Sequence, residues 1–370
     1  MVSTSKGVPQ RVRVELGERS YDILIGEGLL ARAAKLFKPL KLGNRGVIIT
    51  DTNVGPLYGA ALQQALRAGG IETEIVDVPA GESSKSLRQA NRLLEHLPSL
   101  GLDRHSFVIA LGGGVVGDLA GFVAATYLRG IAFVQVPTTL LALVDSSVGG
   151  KVGVNLPQGK NLVGSFYQPR LVLADTAALQ SLPERELRAG FAEVIKVGAI
   201  RDVKFFAWLE REYQRVLRRE PDAVAHAVRR CCEIKADVVS KDERESGLRA
   251  ILNFGHTMGH AMEALVEYEG LLHGEAISMG MCFAGKLSVK CAGLSEAESE
   301  RLCALLKASG LPTRPKEKFE MNRLFEAMRM DKKARNGKVR FVLLKRLGEA
   351  FVSDAVTDTD IEEVFNVCCR

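Results

Sequence analysis

Three of the six histidines in the chain fall between residues 256 and 273. His256 and His260 are four residues apart in a segment whose pattern predicts a helix, so both side chains face the same way. His273 opens another predicted helix. Two or three histidines with a carboxylate are the ligand set of a catalytic zinc or a similar divalent ion. The H-x-x-x-H spacing lacks the glutamate of H-E-x-x-H, which argues against a zincin-type protease.

Charged and amide side chains accompany these histidines. Glu193 and Lys196 are three residues apart on a predicted helix with Pro183 in its first turn, so they point in the same direction. Asn253 is predicted on the same helical face as His256 and His260, and Arg249 comes just before that helix. A metal beside cations and an asparagine suits a polyhydroxylated, phosphorylated anion. The competing interpretation is that the histidines are scattered core or surface residues.

A second candidate site is a glycine motif in the first half of the chain. Gly112, Gly114 and Gly117 have the G-x-G-x-x-G spacing and follow the apolar run 106–111, which is typical of strand, tight turn and helix. Backbone without Cβ atoms lets a pyrophosphate approach the amides at a helix N-terminus. An ordinary glycine turn is the alternative.

Strands and helices alternate around this motif. The pattern predicts a hairpin at 11–25, strands at 46–50, 72–78, 106–111 and 131–136, and helices at 28–37, 58–68 and 87–97. Such alternation indicates a parallel, helix-flanked sheet, whose ligands collect at the carboxyl ends of the strands. Asp51 and Glu82 lie at such ends. Asp51 is the best candidate for a ribose ligand, because no acid ends the strand 131–136, although an Asx turn or a helix cap explains it equally well.

The glycine-rich segment 142–169 is predicted to be a long functional loop. Lys151 and Lys160 each follow a glycine, and Asn161 follows Lys160. Lysine and asparagine beside flexible backbone are good donors to phosphates and hydroxyls.

Bulk properties bound the remaining possibilities. A length of 370 residues predicts one large or two medium domains, and 46% hydrophobic and 25% charged residues are typical of a globular protein. A change of composition favours two domains, at 1–180 and 181–370. The second is helical in pattern almost to residue 330, with a strand-like piece at 339–344, and its charged run 202–245 is interpreted as a solvated helix face. A net charge of +6 suits a small anionic substrate and is too diffuse for nucleic acid.

Seven cysteines without a C-x-x-C pair predict a reduced, cytoplasmic protein. The first residues lack the apolar core of a signal peptide, and no run approaches the roughly 18 apolar residues of a membrane span. We therefore expect no membrane partner.

Several long blocks resemble the signatures of bacterial 3-dehydroquinate synthases. They are GGGVVGDLAGFVAATYLRG, QVPTTLLALVDSSVGGKVGVN, GKNLVGSFYQP, AGFAEVIKVG, LNFGHTMGHAME and LHGEAISMGM. The resemblance covers almost the whole chain, and one departure is Val152, where the family usually has a small polar residue. It implies an α/β N-terminal Rossmann-like parallel-sheet domain that binds NAD and an all-α C-terminal domain that binds metal and substrate.

The resemblance also implies roles for individual residues. Zinc or cobalt ligands would be Glu193, His256 and His273. NAD would be held by Asp51, Asn53, Glu82, Lys85, Gly113, Gly114, Asp118, Thr138, Thr139, Asp145, Lys151 and Lys160. Substrate would be held by Arg129, Lys151, Lys160, Asn161, Lys196, Arg249, Asn253, His260 and Lys338. Among these, the catalytic group would be Lys151, Lys196, Arg249, Asn253 and His260, with Arg129 reaching the substrate of the second subunit of a homodimer.

The implied activity is the conversion of 3-deoxy-D-arabino-heptulosonate 7-phosphate to 3-dehydroquinate and phosphate in the shikimate pathway of aromatic amino acid biosynthesis. The steps would be transient oxidation by NAD, phosphate elimination, re-reduction and an intramolecular aldol reaction. Three alternatives stay open: another sugar-phosphate cyclase, a metal-dependent polyol dehydrogenase, and a non-enzymatic basic adaptor that uses 202–245 and 329–346.

Overall fold

The computed structural model describes residues 8–266, 270–315, 319–330 and 339–368. These residues form two compact units. The first extends to Leu182 and also contains Val224–Arg244, and the second contains Pro183–Ala223 and continues from Glu245. A single boundary after residue 180 does not describe the return of Val224–Arg244 to the first unit.

The first unit is built on a seven-stranded sheet with the order β1-β2-β9-β6-β5-β3-β4. Its strands are β1 (Gln10–Val14), β2 (Tyr21–Gly26), β3 (Arg45–Asp51), β4 (Glu72–Val78), β5 (Phe107–Gly112), β6 (Ala132–Pro137) and β9 (Leu171–Asp175). Only β1 and β2 pair antiparallel, and the other pairs are parallel. The predicted parallel sheet is confirmed, and β9 is a strand that the pattern did not predict.

Helices cover both faces of this sheet, as its continuous apolar strands require. They are α1 (Ala33–Phe37), α2 (Ala60–Arg67), α3 (Leu87–His96) and α4 (Gly114–Thr126). Phe37 and Leu66 belong to the apolar layer on one face, and Leu93 and Leu119 belong to the layer on the other. Strand β5 is buried at every residue because it lies between the two layers.

The prediction of a long loop at 142–169 is wrong for most of that segment. Residues Lys151–Leu156 (β7) and Gly159–Phe166 (β8) form an antiparallel hairpin. A Cβ atom on Gly153 would lie 2.5 Å from the carbonyl oxygen of Val163, and one on Gly164 would lie 2.2 Å from that of Val152. These glycines therefore allow close strand pairing, which the sequence pattern did not distinguish from loop flexibility.

The charged run 202–245 forms two helices, α6 (Val203–Leu217) and α7 (Pro221–Lys241). Much of its charge is paired within the run, for example between Arg215 and Glu220 and between Arg229 and Glu233. From Val224 onward, however, α7 belongs to the first unit and buries Lys235. The interpretation as a solvated face is wrong at that position.

The second unit is mainly helical. Its other helices are α5 (Glu184–Arg201), α8 (His256–Leu265), α9 (His273–Ala292), α10 (Glu296–Ala308), α11 (Met321–Met330) and α12 (Asp358–Cys368). The predicted strand at 339–344 is present as β10 (Phe341–Arg346), which pairs with β11 (Glu349–Ser353). Together α8, α9, α11, α12 and this hairpin enclose one apolar core.

Asn253 does not share a helix with His256, contrary to the predicted common face. It ends a short 3₁₀ segment, Leu248–Asn253. Gly255 then takes φ +80°, a left-handed conformation that glycine adopts without steric cost, and α8 begins at His256. The break separates the asparagine from the helical periodicity on which the prediction rested.

Candidate functional site

Three potential metal ligands converge in the second unit. Oε1 of Glu193 lies 3.8 Å from Nε2 of His256 and 3.7 Å from Nε2 of His273. Ligands about 2.05 Å from a tetrahedral ion are roughly 3.4 Å apart, so this spacing fits one divalent ion with slight contraction. Glu193 and His256 are buried, and His273 is partly exposed.

Backbone and side-chain acceptors fix the orientation of both imidazole rings. Nδ1 of His256 lies 3.1 Å from the carbonyl oxygen of Phe254, and Nδ1 of His273 lies 3.2 Å from Oε2 of Glu263. Both partners are acceptors, so each Nδ1 carries the proton and donates. The lone pair of each ring is then on Nε2, which faces Glu193, as metal-binding histidines require.

Close helix contacts bring the three ligands together. A Cβ atom on Gly274 would lie 1.8 Å from the carbonyl oxygen of Ala189, so only glycine lets the start of α9 lie against α5. A Cβ atom on Gly280 would lie 2.0 Å from the carbonyl oxygen of Gly255, which precedes α8. Two glycines of α9 therefore set its approach to the helices that carry Glu193 and His256.

The buried carboxylate of Glu193 is in contact with one lysine. Both carboxylate oxygens are buried, Oε2 is in contact with the Lys196 ammonium, and no other described donor hydrogen-bonds to either oxygen. Burial lowers the pKa of His273. The hydrogen bond and charge of Glu263 and the charge of Glu193 raise this pKa by a larger amount, so the net pKa is above the ordinary value. A buried carboxylate with so few donors is suited to a cation.

Three of the other residues predicted for this unit lie on or just before α8, and a fourth lies outside the described residues. The ring of His260 has its centroid 5.2 Å from that of His256 and 5.9 Å from that of His273. Arg249 is 2% exposed, in the 3₁₀ segment before α8. Asn253 donates through Nδ2 to Oε1 of Glu245 at 2.5 Å. Lys338 lies outside the described residues.

Glu245 and Glu263 were not singled out from the sequence. Glu245 has φ +58°, a strained conformation that is common at functional sites. Glu263 follows His260 by three residues on α8, which is the one signal in the sequence that connects it to the cluster.

In the first unit, the predicted nucleotide residues lie along one edge of the sheet. Strands β6, β5, β3 and β4 are parallel, so their carboxyl ends share that edge. The chain places β4 on one side of β3 and then β5 on the other. This reversal is a topological switch point, where open α/β sheets bind ligands. Asp51 ends β3, and Gly113 and Gly114 follow β5.

The start of α4 is suited to a phosphate. Gly113 is the N-cap and makes no side-chain capping hydrogen bond. A Cβ atom on Gly113 would lie 3.0 Å from Thr139, and one on Gly114 would lie 3.0 Å from Oγ of Ser146. Gly113 and Gly114 are partly exposed and carry no side chains of their own, so an anion can approach the backbone amides that begin this 13-residue helix.

Two predicted nucleotide-binding side chains at this edge already have hydrogen-bond partners. Oδ1 of Asp51 accepts from the backbone N–H groups of Asn53 and Val54, both at 2.9 Å, so the Asx-turn interpretation is confirmed for that oxygen. Oε1 of Glu82 accepts from Nδ2 of Asn155 at 2.7 Å. These contacts fix the side chains in place on the edge.

An ion pair links the loop after β4 to α4. Nζ of Lys85 lies 2.5 Å from Oδ2 of Asp118. Burial raises the pKa of Asp118, and the charge of Lys85 opposes that rise.

The two threonines after β6 differ in their contacts. Oγ1 of Thr139 accepts from the N–H of Ala142 at 3.1 Å and so caps the next turn. Oγ1 of Thr138 is buried and has no hydrogen-bond partner among the described residues. A buried hydroxyl in this state is suited to a ligand.

Asp145 has a partner that the sequence did not indicate. Nζ of Lys235 donates to its carbonyl oxygen at 2.6 Å and is in contact with its Oδ1. Lys235 is 6% exposed. It was overlooked because its approach depends on how α7 packs into the first unit.

The substrate residues predicted for the first unit are Lys151, Lys160 and Asn161 on the β7–β8 hairpin, and Arg129 after α4. Lys151, Asn161 and Arg129 are exposed, and Lys160 is partly exposed. Leu128 and Arg129 both have positive φ, at 49° and 67°. Two consecutive non-glycine residues in this region are strained and hold Arg129 on a tight turn.

Comparisons with known proteins agree with this architecture. The family model described as 3-dehydroquinate synthase N-terminal matches residues 75–189, and that described as 3-dehydroquinate synthase C-terminal matches residues 190–334. A 2-epi-5-epi-valiolone synthase from Streptomyces hygroscopicus, solved with NAD⁺ and Zn²⁺ bound, is 30% identical with a TM-score of 0.87, covering 96% of this chain and 98% of its own. A 2-deoxy-scyllo-inosose synthase, solved with carbaglucose-6-phosphate, NAD⁺ and Co²⁺, is 29% identical with a TM-score of 0.88, covering 97% of this chain and 100% of its own.

More distant structures share the fold alone. A probable glycerol dehydrogenase from Sinorhizobium meliloti is 17% identical with a TM-score of 0.63, covering 94% of this chain and 96% of its own.

The fold and the converging Glu/His/His group place the chain in the class of sugar-phosphate cyclases. It belongs to the 3-dehydroquinate synthase family. Its described helices include none with the length and apolar character needed to cross a membrane.

Proposed function

We propose that the chain is a 3-dehydroquinate synthase that converts 3-deoxy-D-arabino-heptulosonate 7-phosphate to 3-dehydroquinate and phosphate, with NAD and Zn²⁺ or Co²⁺ as cofactors. The observation that carries the proposal is the group formed by Glu193, His256 and His273, with Lys196 in contact with its carboxylate. The relatives solved with NAD⁺ and Zn²⁺ or Co²⁺ support the choice of cofactors.

The metal would be held by Nε2 of His256, Nε2 of His273 and a carboxylate oxygen of Glu193. NAD would lie along the strand-end edge, with its pyrophosphate at the start of α4 and its ribose near Asp51. The other residues proposed to contact it are Asn53, Glu82, Lys85, Gly113, Gly114, Asp118, Thr138, Thr139, Asp145, Lys151 and Lys160. The buried hydroxyl of Thr138 and the uncapped α4 N-terminus fit this role.

When bound, NAD supplies reversible hydride acceptance and the metal supplies Lewis acidity toward a substrate hydroxyl. The residues of the chain bind and orient one flexible anion. We assign Lys196, Arg249 and Asn253 to its carboxylate and hydroxyls, and Lys151, Lys160 and Asn161 to its phosphate and hydroxyls. His260 would transfer a proton beside the metal. Orientation of this kind contributes a large part of the rate when one molecule must eliminate phosphate and then close a ring.

A homodimer is part of the proposal. Arg129 is exposed at a strained turn, with its guanidinium available to a second copy of the chain. We assign it to the phosphate of the substrate bound by the partner, because guanidinium groups bind phosphate bidentately.

A second candidate is a cyclase that acts on a phosphosugar without a carboxylate. It is favoured by the identity of about 30% to two cyclases with other products. The cations Arg249 and Lys196 favour the first candidate, because a carboxylate buried beside a metal needs positive partners.

The test is to incubate metallated protein and catalytic NAD with three substrates in parallel. They are 3-deoxy-D-arabino-heptulosonate 7-phosphate, glucose 6-phosphate, and sedoheptulose 7-phosphate as a seven-carbon phosphosugar without a carboxylate. Stoichiometric phosphate release from the first alone, without accumulating NADH, supports the proposal. Release only from one of the others supports the second candidate.

Two further outcomes separate the remaining classes. Accumulation of NADH with glycerol-like substrates and no phosphate release would indicate a polyol dehydrogenase. Salt-sensitive binding of RNA or DNA by a protein that takes up no zinc would indicate a basic adaptor.

A further inference from the structure

One buried carboxylate beside the metal group has no role in the proposed reaction. Glu263 is 3% exposed and lies on α8, and its Oε2 is 3.2 Å from Nδ1 of His273, the first residue of α9. Ionised carboxylates are costly to bury without a matching donor. The imidazole N–H of His273 is such a donor.

His273 belongs to two groups that could each hold a cation. One consists of Glu193, His256 and His273, and the other of His260, Glu263 and His273. A neutral imidazole has one lone pair, so Nδ1 cannot both donate to Glu263 and ligate an ion. The two groups therefore compete for one ring.

The structure favours the first group. Nε2 of His273 already lies 3.7 Å from Glu193, and His256 is oriented toward the same point by an acceptor of its own, the carbonyl of Phe254. Glu263 is then left as the acceptor that decides which nitrogen of His273 carries the proton.

We propose that Glu263 is a positioning residue. It accepts the Nδ1–H hydrogen bond of His273, fixes the tautomer with the lone pair on Nε2, and holds the ring toward Glu193 and His256. Without this acceptor the ring gains a second tautomer and can rotate. Metal affinity then falls, as for other histidine ligands that lose a carboxylate partner.

The inference rests on the metal site of the proposed function. It is tested with Glu263→Ala and the conservative Glu263→Gln, whose side-chain oxygen still accepts from Nδ1–H. Glu298→Ala is the matched control, because Glu298 is an acceptor in the same unit but bonds the backbone of Leu347 at 3.0 Å. Each apoprotein is titrated with Co²⁺ alone, and the affinity, the number of ions bound and the visible spectrum at saturation are measured.

The parent is expected to bind one ion. Glu263→Ala should bind it about 10- to 100-fold more weakly, with an altered visible spectrum at saturation. Glu263→Gln should recover most of the affinity, and Glu298→Ala should bind as the parent does. Recovery by glutamine separates ring positioning from a general loss of packing.

Other results would overturn the inference, each in a recognisable way. Parental affinity and spectrum in Glu263→Ala would show that the carboxylate does not act on His273. Two ions in the parent and one in Glu263→Ala would make Glu263 a ligand. A parent that binds no Co²⁺ would instead contradict the proposed metal site itself.

Discussion

The helical unit and the sheet unit prepare their candidate sites in different ways. In the helical unit, side chains from α5, α8 and α9 converge, and the carboxylate of Glu193 is buried with the Lys196 ammonium as its one described donor. On the sheet edge, Asp51 and Glu82 already accept hydrogen bonds from other residues of the unit. The groups suited to a ligand there include the backbone amides at the start of α4 and the buried hydroxyl of Thr138.

This difference has a consequence for mutations. A site made of converging side chains fails when one ligand is removed or when the helices separate. A site made of backbone fails when a side chain is added. Damage to one unit should therefore leave the binding property of the other intact, so NAD⁺ binding is a control for variants of the helical unit and metal binding for variants of the sheet unit.

The largest effect is expected for His256→Ala. Removing a metal ligand lowers metal affinity more than removing the residue that hydrogen-bonds to a ligand. Metal affinity should therefore fall by more than about a hundredfold. Phosphate release should be lost with it, while NAD⁺ binding persists. Equilibrium dialysis with metal analysis and the phosphate assay measure both. His96→Ala, at an exposed histidine of the sheet unit, is the control, and a His256→Ala protein that keeps metal and activity contradicts the ligand assignment.

Gly274→Ala should separate α9 from α5. The new methyl would lie 1.8 Å from the carbonyl oxygen of Ala189, so the helices must move apart, at a cost of about 3 kcal/mol in the free energy of unfolding. Metal affinity should fall as well, because His273 moves with the helix. Urea unfolding and Co²⁺ titration test both effects.

Gly285→Ala on the same helix is the matched control. Its Cβ would meet its nearest neighbour, Oγ of Ser299, at 3.2 Å. The contact is with a hydroxyl that can rotate, and alanine is the better helix former, so little change in stability is expected. Equal unfolding of the two variants would contradict the close-contact argument.

The contrast also explains what the sequence could predict. Local periodicity was sufficient for most strands of the sheet and for the helices that carry Glu193, His256 and His273. It failed where a single glycine changes the backbone. Gly255 ends the helical register before His256, and Gly153 and Gly164 pair as strands where a loop was predicted.

Contacts between segments distant in sequence could not be predicted from the residue pattern. Glu263 and His273 are ten residues apart, and Lys235 and Asp145 are ninety apart. Nothing in the spacing of either pair indicates that the two side chains meet, because the meeting depends on the packing of whole helices. The residue types indicated a metal site, and the ligand set of Glu193, His256 and His273 came from the family resemblance.

Gly114→Ala tests the sheet edge. A methyl at the first residue of α4 would lie where the pyrophosphate is proposed, and it meets Oγ of Ser146 at 3.0 Å, which can rotate away. NAD⁺ affinity should fall about tenfold, or roughly 1.4 kcal/mol, with little change in stability. Calorimetric titration with NAD⁺ measures this. Co²⁺ affinity should be unchanged, and an unaltered NAD⁺ affinity would contradict the placement of the pyrophosphate.

The smallest effect separates the two roles proposed for Asp51. Asn retains an oxygen for the N–H groups of Asn53 and Val54, so Asp51→Asn should keep its stability within about 0.5 kcal/mol, whereas Asp51→Ala should lose about 1 kcal/mol. If the carboxylate also holds the ribose, both variants should bind NAD⁺ more weakly, Asn by roughly threefold. Parental NAD⁺ affinity in Asp51→Asn, with a loss of stability in Asp51→Ala, would reduce Asp51 to a turn residue. The ribose would then have to be bound by another group on the edge.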